Sequence, residues 1–326
     1  MTASLGTDIN HAAQLLRAGS LVAFATETVY GLGADATNVD AVAKVFAAKG
    51  RPTFDPLIVH LAGVDQLASV VATIPDAAQK LMDFFWPGPM TLLFPKKSLI
   101  PDLVTAGLET VAVRIPSHPL ALELLKAADV PVAAPSANKF GSISPTTAQH
   151  VADQLGDEVD YILDGGSCSV GLESTIVSCL SDNIEVLRLG GLSVEQIEAV
   201  IGPVTLKQAS SDPGKQAEES SAQLAPGMLK RHYAPNKLLV VVDSLSDIEL
   251  QPADVLLLPW ELVNVPKDLH QEILSERQDL TECAAHFFSA LRRLDASDAD
   301  RIVAVRFPEE GLGRALNDRL ERASAR

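Results

Sequence analysis

Two cations close together suggest a binding site for a phosphorylated ligand. Lys49 and Arg51 follow a helix-like stretch and stand just before Pro52. Two interpretations fit this spacing. Either the pair balances the dipole at a helix end, or it converges on one polyphosphate, with the arginine forking onto the oxygens. Because basic residues are scarce in this acidic chain, the phosphate clamp is the favoured interpretation.

Two further arginines stand inside strand-like runs. Arg114 lies in VAVRIP and Arg188 lies in VLRLGG, where apolar neighbours predict burial. A buried arginine needs an anion beside it. Each arginine therefore forms a structural ion pair or binds a carboxylate or phosphate of a ligand, and the spacing leaves both alternatives open.

Small hydroxyl and glycine residues follow other strands. Ser136 and Ser144 lie in VAAPSANKFGSISPT, and a hydroxyl-rich loop after a strand is a typical ligand site in α/β proteins. Ser144 also fits a helix N-cap. The segment 164–178, DGGSCSVGLESTIVS, fits either turns or an anion cradle of backbone N–H groups. The sequence has no nucleophile elbow, P-loop or metal-ligand spacing, and His60 alone is more typical of a structural histidine.

The elements that must position these residues alternate between strand and helix patterns. We predict strands over 21–25, 56–61, 90–94, 111–115, 131–135, 159–164, 174–179, 185–189, 237–242, 255–258 and 302–307. We predict helices over 8–18, 39–48, 75–85, 119–128, 145–155, 194–201, 280–294 and 312–323. Gly31 and Gly33 are predicted to form a turn. The pattern indicates an α/β fold with a mixed, twisted sheet.

The chain is predicted to divide into two domains and a linker. Residues 1–204 form the larger domain, and residues 237–326 form a smaller α/β domain. Residues 205–236 between them are rich in Ser, Gln, Glu and Pro, which is typical of a linker that is mobile in part. The linker nevertheless ends in PGMLKRHYAP, whose histidine and tyrosine a passive connection would not need.

Bulk composition restricts the function classes. The 326 residues have a net charge of −16, and residues 1–205 carry 22 acidic against 11 basic side chains. This charge opposes binding of nucleic acid, which depends on cations, and aromatic residues are too scarce for a base-stacking platform. The three cysteines are far apart, which favours a reducing compartment. Without a signal peptide or membrane-spanning stretch, the protein is predicted to be soluble and cytoplasmic.

Ordered segments along almost the whole chain resemble the threonylcarbamoyl-AMP synthase family in its longer, two-domain form. They are TETVYGLGADA (26–36), KGRP with DPLIVHL (49–61), WPGPMTLL (86–93), VAVRIPSHP (111–119), APSAN with SPT (134–146), GLESTIVS (171–178), LRLGG (187–191), PGMLKRHYAP (226–235), LRRLD (291–295) and GLGRALNDRL (311–320). The resemblance implies a YrdC-like catalytic domain with a concave cavity. It also implies a Rossmann-like C-terminal domain, with a linker that lies across the cavity as a lid.

The resemblance implies that the protein condenses L-threonine, bicarbonate and ATP into threonylcarbamoyl-AMP and diphosphate. Mg²⁺ is expected to enter with ATP, held mostly by phosphate oxygens and water. A separate tRNA-modifying transferase complex would then move the threonylcarbamoyl group to an adenosine beside the anticodon. Strong direct binding of tRNA is not expected, nor is a membrane partner. In-line phosphoryl chemistry needs positioning and charge neutralisation more than a nucleophilic side chain.

The same resemblance assigns site residues. The threonine pocket would consist of Thr28, His60, Arg114, Ala134 and Ser174. The ATP site would consist of Lys49, Arg51, Asp55, Thr110, Ser136, Ser144, Arg188 and Tyr233, with Lys49 and Arg51 catalytic and with His232 and Tyr233 as the lid. The chain departs from the family pattern at Ala25, where proline is common, and at Asp55, where asparagine or histidine is common. Asp55 would bind Mg²⁺ or ribose, or only cap a turn.

Two other functions compete with this assignment. One is an RNA-binding protein that uses the concave face, which the net negative charge opposes. The other is a carbamoyl-adenylating domain of the hydrogenase-maturation type. Such proteins add an acylphosphatase-like module and zinc-finger cysteines, and the scattered Cys168, Cys179 and Cys283 do not supply these.

Overall fold

The computed structural model describes residues 3–207, 225–227, 231–263, 265–266 and 268–325. Part of the predicted linker, residues 208–224, lies outside the described residues, as do residues 228–230 of PGMLKRHYAP. In the part that is described, strands and helices alternate along the chain and form two sheets. None of the helices in these ranges is long and apolar enough to cross a membrane.

Within the described residues, eleven short strands form one mixed sheet. They are β1 (Ser4–Gly6), β2 (Val22–Phe24), β3 (Gly31–Asp35), β4 (Ile58–His60), β5 (Met90–Pro95), β6 (Thr110–Arg114), β7 (Val132–Ala133), β8 (Tyr161–Leu163), β9 (Thr175–Ser178), β10 (Glu185–Arg188) and β11 (Thr205–Leu206). The order across the sheet is β1-β8-β2-β3-β7-β4-β6-β5-β9-β10-β11. Parallel pairs such as β4–β6 and antiparallel pairs such as β5–β6 both occur. The predicted mixed α/β fold is therefore confirmed.

Eight helices pack against this sheet in the described region. They are α1 (Ile9–Arg17), α2 (Val39–Lys49), α3 (Leu67–Val70), α4 (Asp76–Phe85), α5 (Asp102–Thr105), α6 (Pro119–Ala128), α7 (Ala148–Leu155) and α8 (Val194–Ile201). The Asn38 side chain caps α2 by accepting hydrogen bonds from the backbone N–H groups of Asp40 and Ala41. The possible N-cap role of Ser144 is wrong, because Thr147 caps α7 and the Ser144 hydroxyl is already bonded to Glu173.

The glycine pair predicted as a turn belongs to a strand instead. Gly31 and Gly33 lie in β3, which pairs with β2 and β7. A Cβ atom on Gly33 would stand 2.9 Å from the Phe24 ring and 3.0 Å from a Val132 methyl group. Glycine is needed here because neighbouring side chains crowd the strand, and not because the chain reverses.

A second sheet of four parallel strands follows among the described residues. Its strands are β12 (Leu238–Val242), β13 (Asp254–Leu258), β14 (Gln271–Ile273) and β15 (Arg301–Val305), in the order β12-β15-β13-β14. It is accompanied by α9 (Leu280–Asp295) and α10 (Gly313–Ser324). This confirms the smaller α/β unit. The boundaries at residues 204 and 237 stay a prediction.

The two units share one apolar cluster. Val29 and Leu172, from loops beside the large sheet, are buried in the same cluster as Phe288 of α9. Gly171 makes this contact possible. It has a φ of 75°, and a Cβ atom there would lie 2.3 Å from the Ala284 carbonyl oxygen of α9. The glycine-rich segment 164–178 thus brings the C-terminal unit against the larger one, a role that turn chemistry alone did not predict.

Candidate active site

A cleft of about 530 Å³ lies over the middle of the large sheet. Its lining consists of Thr26, Thr28, Val29, Gly31, Arg51, Ile58, His60, Arg114, Ala134, Pro135, Ser136, Glu173, Ser174, Arg188, Pro226, Gly227, His232 and Tyr233. Ile58 and His60, two residues apart on β4, both line it. Alternate residues of a strand share one face, so the cleft covers a face of the sheet. The sequence pattern, by contrast, predicts that the polar groups gather where the strands end.

All five residues assigned to the threonine pocket line this cleft. Arg114 is their centre. Its Nη1 donates to the Thr28 hydroxyl at 2.7 Å, its Nη2 pairs with Glu27 Oε1 at 2.7 Å, and its Nε donates to the Gly88 carbonyl at 3.2 Å. The two alternatives for this arginine thus coexist, since the guanidinium forms a buried ion pair and also faces the cleft.

The charges of Arg114 and Glu27 depend on each other. Both side chains are buried. Burial raises the pKa of Glu27, but the charge of Arg114 and its hydrogen bond outweigh burial and hold that pKa below its usual value. The carboxylate therefore stays ionised and fixes the guanidinium in one orientation.

His60 adds a neutral polar group beside Arg114. The two residues are register partners on β4 and β6, and the Phe24 ring meets the imidazole edge-on. Burial, followed by the charge of Arg114, lowers the pKa of His60 to about 3. Its Nδ1 is buried and has no hydrogen-bond partner among the described residues. The imidazole can therefore exchange a hydrogen bond with a ligand without carrying charge.

Lys49 and Arg51 are both buried, but of the two only Arg51 lines the cleft. The Lys49 ammonium donates to the carbonyls of Ser136 and Asn138, each at 2.5 Å. Burial lowers the pKa of Lys49 well below its usual value. These two hydrogen bonds attach Lys49 to the loop after β7. Helix α2 ends at Gly50, whose backbone is in the left-handed conformation.

Arg51 lines the cleft and is anchored by oxygens of the following turn. Its Nε donates to the Asp55 carbonyl at 3.1 Å and its Nη2 to the Pro56 carbonyl at 2.8 Å. The same Nη2 lies 3.0 Å from the Asp55 carboxylate. Burial raises the pKa of Asp55, and Arg51 acts against that rise. Asp55 is fully buried and does not line the cleft.

Two other residues of the assigned ATP site also lie outside the lining. The Ser144 hydroxyl donates to Glu173 Oε1 at 2.5 Å, and Glu173 faces the cleft. Thr110 starts β6, where it pairs with Pro95, at the opposite end of that strand from Arg114. Ser136 does line the cleft, in the loop that Lys49 holds. The ATP roles of these residues stay predictions.

The end of the linker covers the cleft beside Arg188. This arginine donates from Nη2 to the Ser174 carbonyl at 2.8 Å and from Nη1 to the Pro226 carbonyl at 3.1 Å. His232 and Tyr233 reach the lining from the same segment. Tyr233 has a φ of 62°, which is uncommon for a residue with a side chain. The predicted lid residues therefore lie over the cleft.

Sequence reasoning missed three charged residues that complete this arrangement. Glu27 holds Arg114, Glu173 holds Ser144, and Arg319 of α10 pairs with Glu173 Oε2 at 2.9 Å. A signal was present for the first two. Each is a single carboxylate in a stretch of small or apolar residues, TETV and GLES. Arg319 had no local signal, because its partner is 146 residues away.

Among the described residues, no group of three or more His, Cys, Asp or Glu side chains could hold a metal ion. The buried carboxylates of the site, Glu27, Asp55 and Glu173, each face an arginine instead. The residues in the described ranges therefore do not form a protein-borne metal centre.

Two family models match the chain end to end. The first, described as "Telomere recombination" and naming the Sua5, YciO and YrdC proteins, matches residues 14–190. The second, described as "Threonylcarbamoyl-AMP synthase, C-terminal domain", matches residues 192–325. The boundary between the matches falls shortly after β10.

Individual proteins agree with these models. The chain is 43% identical to the threonylcarbamoyl-AMP synthase of Bacillus subtilis (strain 168), over 97% of this chain and 92% of the relative. It is 41% identical to that of Pyrococcus abyssi, over 97% and 94%. The solved structure of Pyrococcus abyssi Sua5 complexed with L-threonine superposes with a TM-score of 0.85 and 36% identity, covering 99% of this chain and 98% of that one.

Proposed function

Because this chain belongs to the threonylcarbamoyl-AMP synthase family, we propose that its cleft joins L-threonine, bicarbonate and ATP into threonylcarbamoyl-AMP and diphosphate. The activity is a nucleotidyl transfer that supplies tRNA modification. One observation carries the proposal for the cleft. The five residues assigned to threonine lie together on its lining, around a buried arginine.

Arg114, Thr28 and His60 suit a free amino acid. The Arg114 guanidinium is held by Glu27 and Thr28 and faces the cleft, so it can share its donors with a carboxylate. The Thr28 hydroxyl and the unpaired Nδ1 of neutral His60 can form hydrogen bonds with the amine and hydroxyl groups of threonine. The Pyrococcus abyssi relative has been solved in complex with L-threonine, which supports threonine as a ligand of this fold.

The other cations of the cleft suit a triphosphate. Arg51 and Arg188 line it, and both are anchored by carbonyl oxygens. Their guanidinium groups are therefore preorganised where negative charge would arrive. Lys49 would act through the loop that carries Ser136, because its ammonium is bonded to that loop.

The reaction proposed from the family is compatible with this arrangement. The threonine amine condenses with bicarbonate and releases water, which gives N-carboxythreonine. An oxygen of the new carboxylate attacks the α-phosphorus of ATP, the bond to the leaving oxygen breaks, and diphosphate departs. The chain's residues hold both substrates in one water-poor cleft and neutralise charge. Such positioning is the main requirement of phosphoryl chemistry.

Mg²⁺ is proposed to enter with ATP and to neutralise the triphosphate. Since the described residues provide no cluster of metal ligands, phosphate oxygens and water would hold the ion. Asp55 faces Arg51 at 3.0 Å, so it is better suited to fixing this arginine than to binding the metal.

The partners beyond the small substrates are also proposals. A separate transferase complex would accept threonylcarbamoyl-AMP, because the product must reach tRNA and this chain is strongly acidic. The cytoplasmic location stays a prediction. His232 and Tyr233 would act as a lid that excludes water from the cleft, which their position in its lining supports.

The test is diphosphate release by the full-length chain with ATP, Mg²⁺ and bicarbonate, with and without L-threonine. We expect release only when threonine is present, and little release with L-serine, which lacks the methyl group. Release that is independent of threonine would contradict the proposal, as would salt-sensitive tRNA binding without any diphosphate release.

A further inference from the structure

Arg319 is the largest fully buried side chain of the protein, with 0% exposure among the described residues. It belongs to α10 of the C-terminal unit, in the segment GLGRALNDRL. Its Nε donates to Glu173 Oε2 at 2.9 Å, and its Nη2 donates to the Leu189 carbonyl at 2.8 Å. Its Nη1 pairs with Asp318 of the same helix. Glu173 and Leu189 lie in the larger unit, so the guanidinium links the two units.

Each of the two partners of Arg319 in the larger unit adjoins a part of the active site. Glu173 lines the cleft and accepts a hydrogen bond from the Ser144 hydroxyl. Leu189 directly follows Arg188, which faces the cleft. The Arg319 guanidinium also lies 4.8 Å from the centre of the Tyr233 ring, which permits a cation–π contact with the lid.

We propose that Arg319 is a positioning residue of the nucleotide site, contributed by the C-terminal unit, which acts through Glu173. This inference rests on the proposed function. Without Arg319, the buried Glu173 carboxylate would lose its direct ion pair and keep only the more distant charge of Arg188. That carboxylate would face the cleft in which ATP is proposed to bind, and Ser144 would lose the fixed acceptor that orients it.

Arg314 of the same helix offers a matched control. It also pairs with a glutamate of the larger unit, Glu195, at 3.1 Å. However, both side chains are partly exposed, at 32% and 47%, and neither lines the cleft. A purely structural role of Arg319 would lower stability and change both KM values alike, whereas a positioning role would raise the KM for ATP in particular. Arg314→Met shows what the loss of an exposed interface ion pair does by itself.

The experiment measures KM for ATP and KM for threonine separately in full-length Arg319→Met, Arg314→Met and Glu173→Gln/Arg319→Met. We expect Arg319→Met to raise the KM for ATP roughly tenfold or more and the KM for threonine less than about threefold. The double variant should return the KM for ATP to within about threefold of the starting chain, because no uncompensated charge remains. Arg314→Met should leave both constants unchanged.

The proposal is overturned if Arg319→Met changes both KM values equally, or if the double variant is as impaired as the single one. If Arg319→Met fails to fold, Arg319→Gln is judged by the same criteria, since it removes the charge but keeps a hydrogen-bond donor at that position. Calorimetric titration with ATP alone keeps the test separate from the proposed function. A weaker ATP affinity in Arg319→Met supports the inference even if threonine-dependent turnover is absent, and an unchanged affinity contradicts it.

Discussion

Replacing Arg114 with methionine removes the one buried guanidinium that contacts both Glu27 and Thr28. A hydrogen bond to a charged group contributes about 1.5–3 kcal/mol. Loss of the proposed contact to the threonine carboxylate should therefore raise the KM for threonine roughly tenfold to hundredfold. The KM for ATP should change much less, since Arg114 contacts Thr28, Glu27 and Gly88, and none of these residues is assigned to the nucleotide.

The same substitution also affects stability. It leaves Glu27, whose side chain is 6% exposed, as a buried carboxylate without its counter-charge. Breaking such a pair costs about 3–5 kcal/mol. The double variant Glu27→Gln/Arg114→Met removes both charges, so its free energy of unfolding should lie above that of the single variant. Urea unfolding and threonine titrations of diphosphate release separate the two effects.

Arg51→Met is the matched control, because Arg51 is a buried arginine assigned to ATP that lines the cleft, and its hydrogen bonds go to Asp55 and Pro56 and not to the assigned threonine residues. It should raise the KM for ATP and leave the KM for threonine nearly constant. Equal increases of both constants in Arg114→Met would transfer Arg114 to the nucleotide site. A double variant that is less stable than the single one would refute the argument from charge pairing.

Three further outcomes are expected. Burial lowers the pKa of His60 to about 3 in the folded chain, whereas an unperturbed histidine titrates near 6.5. The unfolded chain therefore binds a proton that the folded chain does not, and His60→Gln should remove a stability loss of about 1.4 kcal/mol per pH unit between about pH 6 and pH 3. A urea midpoint that falls equally from pH 7 to pH 5 in the starting chain and in His60→Gln would contradict this. Gly33→Ala should lower the free energy of unfolding by about 1–3 kcal/mol through overpacking against Phe24 and Val132; an unchanged urea midpoint would show that the strand can adapt. Excess EDTA should stop diphosphate release but leave calorimetric binding of threonine intact, and a rate that survives EDTA would count against Mg²⁺.

Local patterns predicted most of the elements. Helix α6 begins at Pro119 and ends at Ala128 as predicted, because proline suits the first turn and regular apolar spacing continues to the end. Helix α8 likewise matches its predicted span, and a Ser193 capping box marks its start. In such segments the information that determines the element lies within a few neighbouring residues.

The errors share a different cause. Strand β1 is too short and too polar to show a strand pattern, and it exists because it pairs with β8 more than 150 residues later. The Gly31–Gly33 pair was misread because the crowding that requires glycine comes from Phe24 and Val132 on neighbouring strands. Contacts of this kind are set by the assembled sheet, and local propensity does not report them.

The family motifs in the sequence predicted which residues belong to the site. The assigned threonine residues gather in one cleft, because the strands that bear them are neighbours in the sheet. The charge partners Glu27 and Glu173 were missed because sequence spacing says nothing about which carboxylate faces which arginine. Asp55 is a different case. The resemblance assigns it to the nucleotide site, and its carboxylate pairs with Arg51.

The long separation between Glu173 and Arg319 also affects how the chain folds during synthesis. Domains fold largely as units, with the N-terminal one first. Until α9 and α10 are made, Glu173 lacks its ion pair with Arg319, and Val29 and Leu172 lack the apolar residues of α9 that cover them. The partly synthesised protein therefore exposes an apolar surface beside an incomplete active site. We expect the nascent chain to be most prone to aggregation, and most dependent on chaperones, while its C-terminal unit is being synthesised.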